Sequence, residues 1–383
     1  MDTTKCDVAV VGAGLVGLSL AFELAGHGAS VIVIDAGLAG RATSAGAGIL
    51  SPDTSAEVDE GAFAFGLDAG EHYRHLIEAI AAEGVDPSAS GYAKCGLLSL
   101  CLRAHEDPWF APFADQVIAR SSHVVSEISS DEARQIFAPL SRVHRVLHCT
   151  SAARVDGRGM ADALRTAAVR RGVLSLDATV VGVAAHGGEG HRRSVRHIKV
   201  EGGADVECGA MAVCGGAWSA PMGEWLDQSL PISPTKGQIV HLGVDGPSET
   251  WPIIQPLLTH YLVPWPNGRV ACGGTFEVGA GFNSTVTAAG VHELLRECLN
   301  VAPGLANAEY LETRVGLRPS SIDDRPVAGA LPGWDNVWVA TGHGASGLLL
   351  GPYTSKLLAQ AITQSEVHEQ GDYWRTLSPA RFS

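Results

Sequence analysis

Val8-Ala9-Val10-Val11-Gly12-Ala13-Gly14-Leu15-Val16-Gly17 is the stretch that decides the fold: a short apolar run breaking directly into a glycine turn. A helical pattern follows over residues 18 to about 25, and a second apolar run, 31–34, ends at Asp35. Strand, glycine turn, helix, strand and acid is the order of a dinucleotide-binding βαβ unit. Gly12 permits the tight turn, Gly14 lets the backbone approach a pyrophosphate, and Gly17 lets the helix lie close to the sheet. Ala13, Leu15 and Val16 complete a turn whose N–H groups open onto the phosphates. Asp35, 18 residues past Gly17 and followed by Ala36, supplies a carboxylate where a ribose diol would lie. These residues alone predict binding of FAD or NAD.

At 383 residues the chain exceeds one ordinary core and predicts two domains, with a 46% hydrophobic fraction to fill both. A net charge of −14 without a basic block argues against a nucleic-acid partner. The arginine-containing stretch 191–197 is short and reads as a solvated hairpin. No apolar run reaches the length of a membrane span. The first apolar run is a strand, so no signal peptide is expected. Eight cysteines form no CxxC pair and no zinc spacing, so no metal is expected and a reducing cytoplasm is the plain expectation.

Cofactor-like segments recur far apart, which predicts a discontinuous cofactor domain carrying a mainly antiparallel substrate domain, an α/β (overall α+β) architecture with a Rossmann-like part. The expected boundaries are 1–82, 151–222 and 315–383 for the cofactor domain, and 83–150 and 223–314 for the substrate domain. After the first unit, Arg41, Thr43, Ser44, Ala45, Gly48 and Ile49 lie in a run of small residues that can lie flat against a planar ligand. Helices are expected over 65–82, 131–137, 160–171, 293–299 and 348–364, and strands over 92–102, 179–184 and 337–340. A hairpin with glycine-rich tips is expected over 187–207. Val180 and Val181 on one strand, and Cys214, Gly215 and Trp218 after the next, join the cofactor candidates. Several strand-like runs over 231–276, punctuated by Pro and Gly, predict an antiparallel sheet. A last strand and turn bring Gly342, Gly344, Ala345, Ser346, Gly347 and Leu348.

Taken in order, residues 12–17 with Asp35, 43–52, 215–219, Lys236-Gly237-Gln238, Tyr261-Leu262-Val263-Pro264, Gly316-Leu317-Arg318-Pro319 and 340–347 resemble the D-amino-acid oxidase superfamily of FAD-dependent amine oxidoreductases. Within it the likeness is nearest to glycine oxidase and the bacterial D-amino-acid dehydrogenases. The resemblance implies FAD rather than NAD. It also implies non-covalent binding: relatives that tether the flavin use a histidine in the run at 43–45 or a C-terminal cysteine, and this chain has neither. Gly316 and the turn at 342–347 would lie against the flavin, with helix N–H groups near N1 and O2 favouring an anionic reduced ring.

The resemblance makes Arg318 the partner of a substrate carboxylate, a role suited to its planar fork. The alternative is a surface arginine paired with Asp323 or Asp324. Tyr261 is expected to reach the same carboxylate with its hydroxyl, or else to be a core aromatic. His343 between two glycines is a candidate proton acceptor, or a structural residue at the flavin edge. Gln238 is expected beside the pocket or flavin, and the loop 251–259 at the pocket wall. Glycine oxidase carries an arginine after its Gly-His, where this chain has Gly344-Ala345-Ser346-Gly347, implying a larger or less charged pocket.

The expected reaction is FAD-dependent oxidation of the carbon–nitrogen bond of a small amino acid, D-configured or glycine-like. Hydride passes to flavin N5, giving an imino acid, then keto acid and ammonia, with oxygen or a quinone as electron acceptor. A secondary amine such as sarcosine, D-proline or hydroxyproline is the alternative substrate. An NAD-dependent dehydrogenase and a flavin-binding module without turnover are alternatives of other classes. A homo-oligomer stays open, since relatives form both monomers and tetramers.

Overall fold

The computed structural model describes residues 4–187, 192–246, 248–363 and 372–383. The first of two eight-stranded sheets is centred on Thr4–Val11, which pairs in parallel with Val31–Asp35 on one side and Val206–Val213 on the other. Leu174–Asp177 and Val337–Thr341 extend the parallel part at either flank. The central strand is apolar on both faces because both are covered, as parallel sheets require. Val8 and Val10 pack into one core cluster and Ala9 and Val11 into another. The helix Leu15–Gly26 covers the first face together with Gly157–Arg170 and Gly347–Thr363. Val180–His186 and Ser194–Val200 pair antiparallel at the edge, and the expected tip residues 188–191 lie outside the described residues.

Helices begin earlier than hydrophobic periodicity suggests, because a capping side chain fixes the first turn rather than an apolar one. Glu60–Ala82 starts where Asp59 accepts from Ala62 N–H, and Gly157–Arg170 where Asp156 accepts from Arg158 and Gly159. Ala288–Val301 starts at Thr287, Ser130–Ile136 is closed by a capping box, and Gly347–Thr363 runs from the last glycine turn.

The second sheet runs, in order, Glu309–Ser321, Ile232–Gly243, Arg269–Gly273, Tyr261–Trp265, Ile253–Pro256, Leu97–Cys101, Arg145–Cys149, Val125–Ile128. The sheet is mainly antiparallel, as expected, with one parallel pair, Ile253–Pro256 beside Leu97–Cys101. These strands come from distant parts of the chain, so no hairpin fixes their relative direction. The single strand expected over 92–102 is broken at Cys95-Gly96, where Gly96 takes φ of +75°. Its first half, Ala93–Lys94, joins a three-stranded sheet and its second half joins the large one. Among the described residues no helix is long and apolar enough to cross a membrane, and no cluster of His, Cys, Asp or Glu could hold a metal.

Candidate functional site

A cavity of about 400 Å³ runs from the glycine turn to the large antiparallel strands, so both sheets contribute walls. At the first end stand Gly12, Gly14, Leu15, Val16, Asp35 and Ala36. Gly12 takes φ of +111°, and a Cβ there would fall 2.3 Å from the Cys214 carbonyl oxygen. A Cβ on Gly17 would fall 1.9 Å from the Gly12 oxygen, so this glycine serves the turn without facing the cavity. Gly14 differs, because a Cβ on it would meet only Thr43 Oγ1, at 3.4 Å. The helix behind it has no side-chain cap and no acidic residue in its first turn. Leu15 N–H donates to Thr43 Oγ1. Such an N-terminus offers positive partial charge and N–H donors to an anion. The Asp35 carboxylate accepts from Ala13 N–H and Gly37 N–H, which fixes it at the strand end beside Arg41.

The small-residue run lines the middle of the cavity at Arg41, Thr43, Ala45, Gly48 and Ile49, joined by Val180, Cys214, Gly215 and Trp218. Gly316, Gly344, Ala345, Gly347 and Leu348 also line the cavity, with Gly316 against Ala45 and Leu348 against Gly46. A Cβ on Gly344 would meet nothing, which leaves an open cradle before the final helix.

Several expected residues do not line the cavity. Val181 is half-exposed, the extra residue where the strand's register shifts next to the lining Val180. Ser44 faces a neighbouring polar pocket, and its carbonyl accepts from Arg158. Ala13, Gly17 and Gly342 are buried outside the cavity lining, and Ser346 is exposed. The loop 251–259 packs elsewhere, with Trp251 edge-on to Phe137 at 4.9 Å. Leu38, Met222, Trp225 and Ile239 line the cavity without having been singled out. Only Ile239 carried a signal, two residues along a strand from Gly237.

Arg318 and Tyr261 converge at the far end. Arg318 Nη1 donates to the Thr275 carbonyl at 2.9 Å and reaches the Lys236 carbonyl at 3.5 Å. Its guanidinium lies 5.6 Å from the centre of the Phe276 ring. A Cβ on Gly274 would sit 3.0 Å from both Arg318 Nη2 and Tyr261 Oη, so the two groups share one corner. Burial pushes the Tyr261 hydroxyl up to about 12, against the pull of the Arg318 charge. It therefore stays a neutral donor at pH 7. Of the alternative surface partners of Arg318, Asp323 is held instead by Arg381 at 2.8 Å.

His343 is 4% exposed, and its Nε2 has no hydrogen-bond partner. Burial lowers its pKa to about 4, so the imidazole is neutral at pH 7. A buried unpaired nitrogen in a cavity wall is a ready partner for a polar group of a bound molecule. Gln238 corrects an expectation. It is fully buried on the strand face away from the cavity, hydrogen-bonded to Glu277 and Thr287. Strand alternation from the lining Gly237 excludes it from the pocket.

The family profile described as "FAD dependent oxidoreductase" (DAO) matches residues 7–361. An uncharacterised oxidoreductase of Bacillus subtilis, YurR, is 34% identical over 366 residues, covering 92% of this chain and 94% of the relative. The glycine oxidase of Pseudomonas aeruginosa is 29% identical over 94% of this chain and 95% of its own length. The crystal structure of iminodiacetate oxidase from Chelativorans sp. BNC1 superposes with a TM-score of 0.87 at 31% identity, covering 96% and 98% of the two chains.

Proposed function

Because the chain belongs to the DAO family of FAD-dependent oxidoreductases, we propose that it oxidises the carbon–nitrogen bond of a small amino acid held by its carboxylate between Arg318 and Tyr261. Family membership sets aside the NAD-dependent and non-catalytic alternatives. The observation that carries the substrate reading is the shared corner of Arg318 and Tyr261 in a cavity wall otherwise rich in apolar and small residues. A planar guanidinium with a neutral hydroxyl beside it suits a carboxylate.

The residues at the other end suit FAD. The N–H groups from Gly14 onward would hold the pyrophosphate, Asp35 the ribose, and Thr43, Ala45 and Gly48 one side of the flavin. The open turn at Gly344 would meet its edge. FAD supplies the hydride acceptor. Arg318 and Tyr261 fix the carboxylate, which orients the α-carbon hydrogen and limits the substrate's freedom. The α-carbon of the neutral amine loses a hydride, and the iminium nitrogen that results gives its proton to water. Water then hydrolyses the imino acid to a keto acid and ammonia. Neutral His343 offers a hydrogen bond at the cavity wall, and hydride transfer from a neutral amine asks no base of it. The flavin is held without a covalent bond, so denaturation releases it. Oxygen or a quinone takes the electrons.

The likeness to iminodiacetate oxidase favours a second reading, a secondary amine bearing a carboxylate. One anaerobic experiment separates the two. D-amino acids, glycine, sarcosine, proline and iminodiacetate are added in turn to the yellow protein. Bleaching by primary amines alone supports the first reading and bleaching by secondary amines alone the second. A flavin that no member bleaches would sink both.

A further inference from the structure

Lys236-Gly237-Gln238 contains two buried polar side chains that the reading above leaves unused, Lys236 at 2% and Gln238 at 0% exposed. Gly237 faces the cavity, so its two neighbours turn to the opposite face of the strand. There Gln238 spends each of its hydrogen-bonding atoms on one short segment. Its backbone N–H donates to Thr275 Oγ1 at 2.9 Å, and its carbonyl accepts from Thr275 N–H at 3.1 Å. Its side-chain Nε2 donates to Glu277 Oε1 at 2.7 Å and to Thr287 Oγ1 at 2.8 Å. Its Oε1 accepts from Thr287 N–H at 2.9 Å. One residue therefore ties together both ends of the loop 275–287. Glu277 completes the junction by accepting from Thr275 Oγ1 at 2.7 Å and pairing with Lys236 Nζ at 3.1 Å.

What the loop carries makes this junction more than a fastening. The Thr275 carbonyl accepts from Arg318 Nη1, and the Phe276 ring lies beside the same guanidinium. Phe282 stacks on Trp218, a cavity-wall residue, at 5.4 Å. A guanidinium is directed by its fixed donor fork, so moving the Thr275 carbonyl rotates the clamp. A Cβ on Gly290 would fall 2.3 Å from Gln238 Nε2, so the following helix also leaves room for this amide.

We propose that Gln238 and Glu277 are positioning residues that set the Arg318 clamp through the Thr275 carbonyl, and so control carboxylate affinity without touching the substrate. The inference rests on the carboxylate reading of Arg318, and its test separates the two. Glycolate, a carboxylate with no amine to oxidise, is titrated into the FAD-loaded protein and followed by the change in flavin absorption. Gln238→Glu sets a second carboxylate against Glu277. Glycolate should bind about 30-fold more weakly, with a matching rise in KM and kcat within about threefold. Exchanging the pair, Gln238→Glu with Glu277→Gln, restores donor against acceptor and should return affinity to within about fivefold of the parent.

A merely structural role would lower the unfolding temperature without that split or that rescue. Where Gln238→Glu does not fold, Glu277→Gln alone reads the same quantity and should weaken glycolate about fivefold. Parent-like glycolate affinity in both single variants overturns the inference, as does an exchanged pair that melts like the parent yet stays weak. Arg318→Ala is the control: if it binds glycolate like the parent, the carboxylate reading itself has failed. If only Arg318→Ala weakens binding, the positioning inference alone fails.

Discussion

The glycine turn at residues 12–17 and the Arg318 corner face one cavity, yet they are built in opposite ways. The turn comes from a continuous stretch, residues 4–35, in which strand, helix and strand succeed each other directly. The corner is assembled from Tyr261, Gly274 and Arg318, brought together by the register of four strands. In the first, main chain packs on main chain, Gly12 against the Cys214 carbonyl and Gly17 against that of Gly12. In the second, glycines make room for side-chain tips. A local element of the first kind fails as a fold, whereas one of the second kind fails as a site.

Gly17→Ala tests the first half and should have the largest effect. Its Cβ would fall 1.9 Å from a backbone oxygen, and neither backbone can yield cheaply. A loss of about 3 kcal/mol or more is expected in urea unfolding, with little flavin retained. Gly14→Ala makes the contrast within the same turn. Its φ of −71° suits alanine and its Cβ meets only Thr43, so the apoprotein should unfold like the parent. Affinity for FAD should nevertheless drop, about tenfold or more, because the methyl occupies the face where the pyrophosphate would lie. Equal loss of stability in both variants would erase the distinction between turn-forming and ligand-facing glycines.

The second half is sharpened by Arg318→Ala and Gly237→Ala. Removing the guanidinium should raise KM about 100-fold while the protein stays yellow and folded. A Cβ on Gly237 would fall 2.2 Å from Arg318 Nη1, the tip of a flexible side chain that can move aside. Gly237→Ala should therefore fold normally and raise KM about tenfold by displacing the clamp. Tyr261→Phe should raise it about fivefold, the effect of one hydrogen bond. A Gly237→Ala enzyme with parental KM would show that the clamp tolerates displacement.

The same contrast decides what could be read before the structure. Glycine spacing before a helix carries its own geometry, so residues 12–17 and Asp35 were legible as a nucleotide-binding unit. Arg318 and Tyr261 were legible only through resemblance, since no spacing rule predicts that positions 57 residues apart share a corner. Gln238 was misplaced although alternation from Gly237 would have turned it away, because its strand was not yet assigned a face. Val181 was misplaced for another reason: it sits at a register shift in its strand, which no sequence pattern announces. Leu38, Met222 and Trp225 enter the wall through turns and short helices, where no periodicity reports direction. The parallel pairing of Ile253–Pro256 with Leu97–Cys101 is likewise a fact of tertiary assembly.

His343 offers the smallest effect and probes the boundary between the two ends. Burial holds it at about 4, and His72 and His241 at about 3, each against 6.5 in the unfolded chain. The unfolded chain therefore binds more protons as pH falls below 6.5. The stability these groups contribute is complete above that value and is lost toward the folded pKa values near 4 and 3. Glu23, raised by burial, opposes part of this fall, but it is common to parent and variant. His343→Asn removes one of the three buried imidazoles. The decline in unfolding free energy between pH 6.5 and 4.5 should become shallower by at most about 1.4 kcal/mol per pH unit. Urea titrations at pH 6.5, 5.5 and 4.5 measure it. An unchanged slope would mean that His343 accepts a proton within the folded chain, making it a base held ready at the cavity wall rather than a neutral partner.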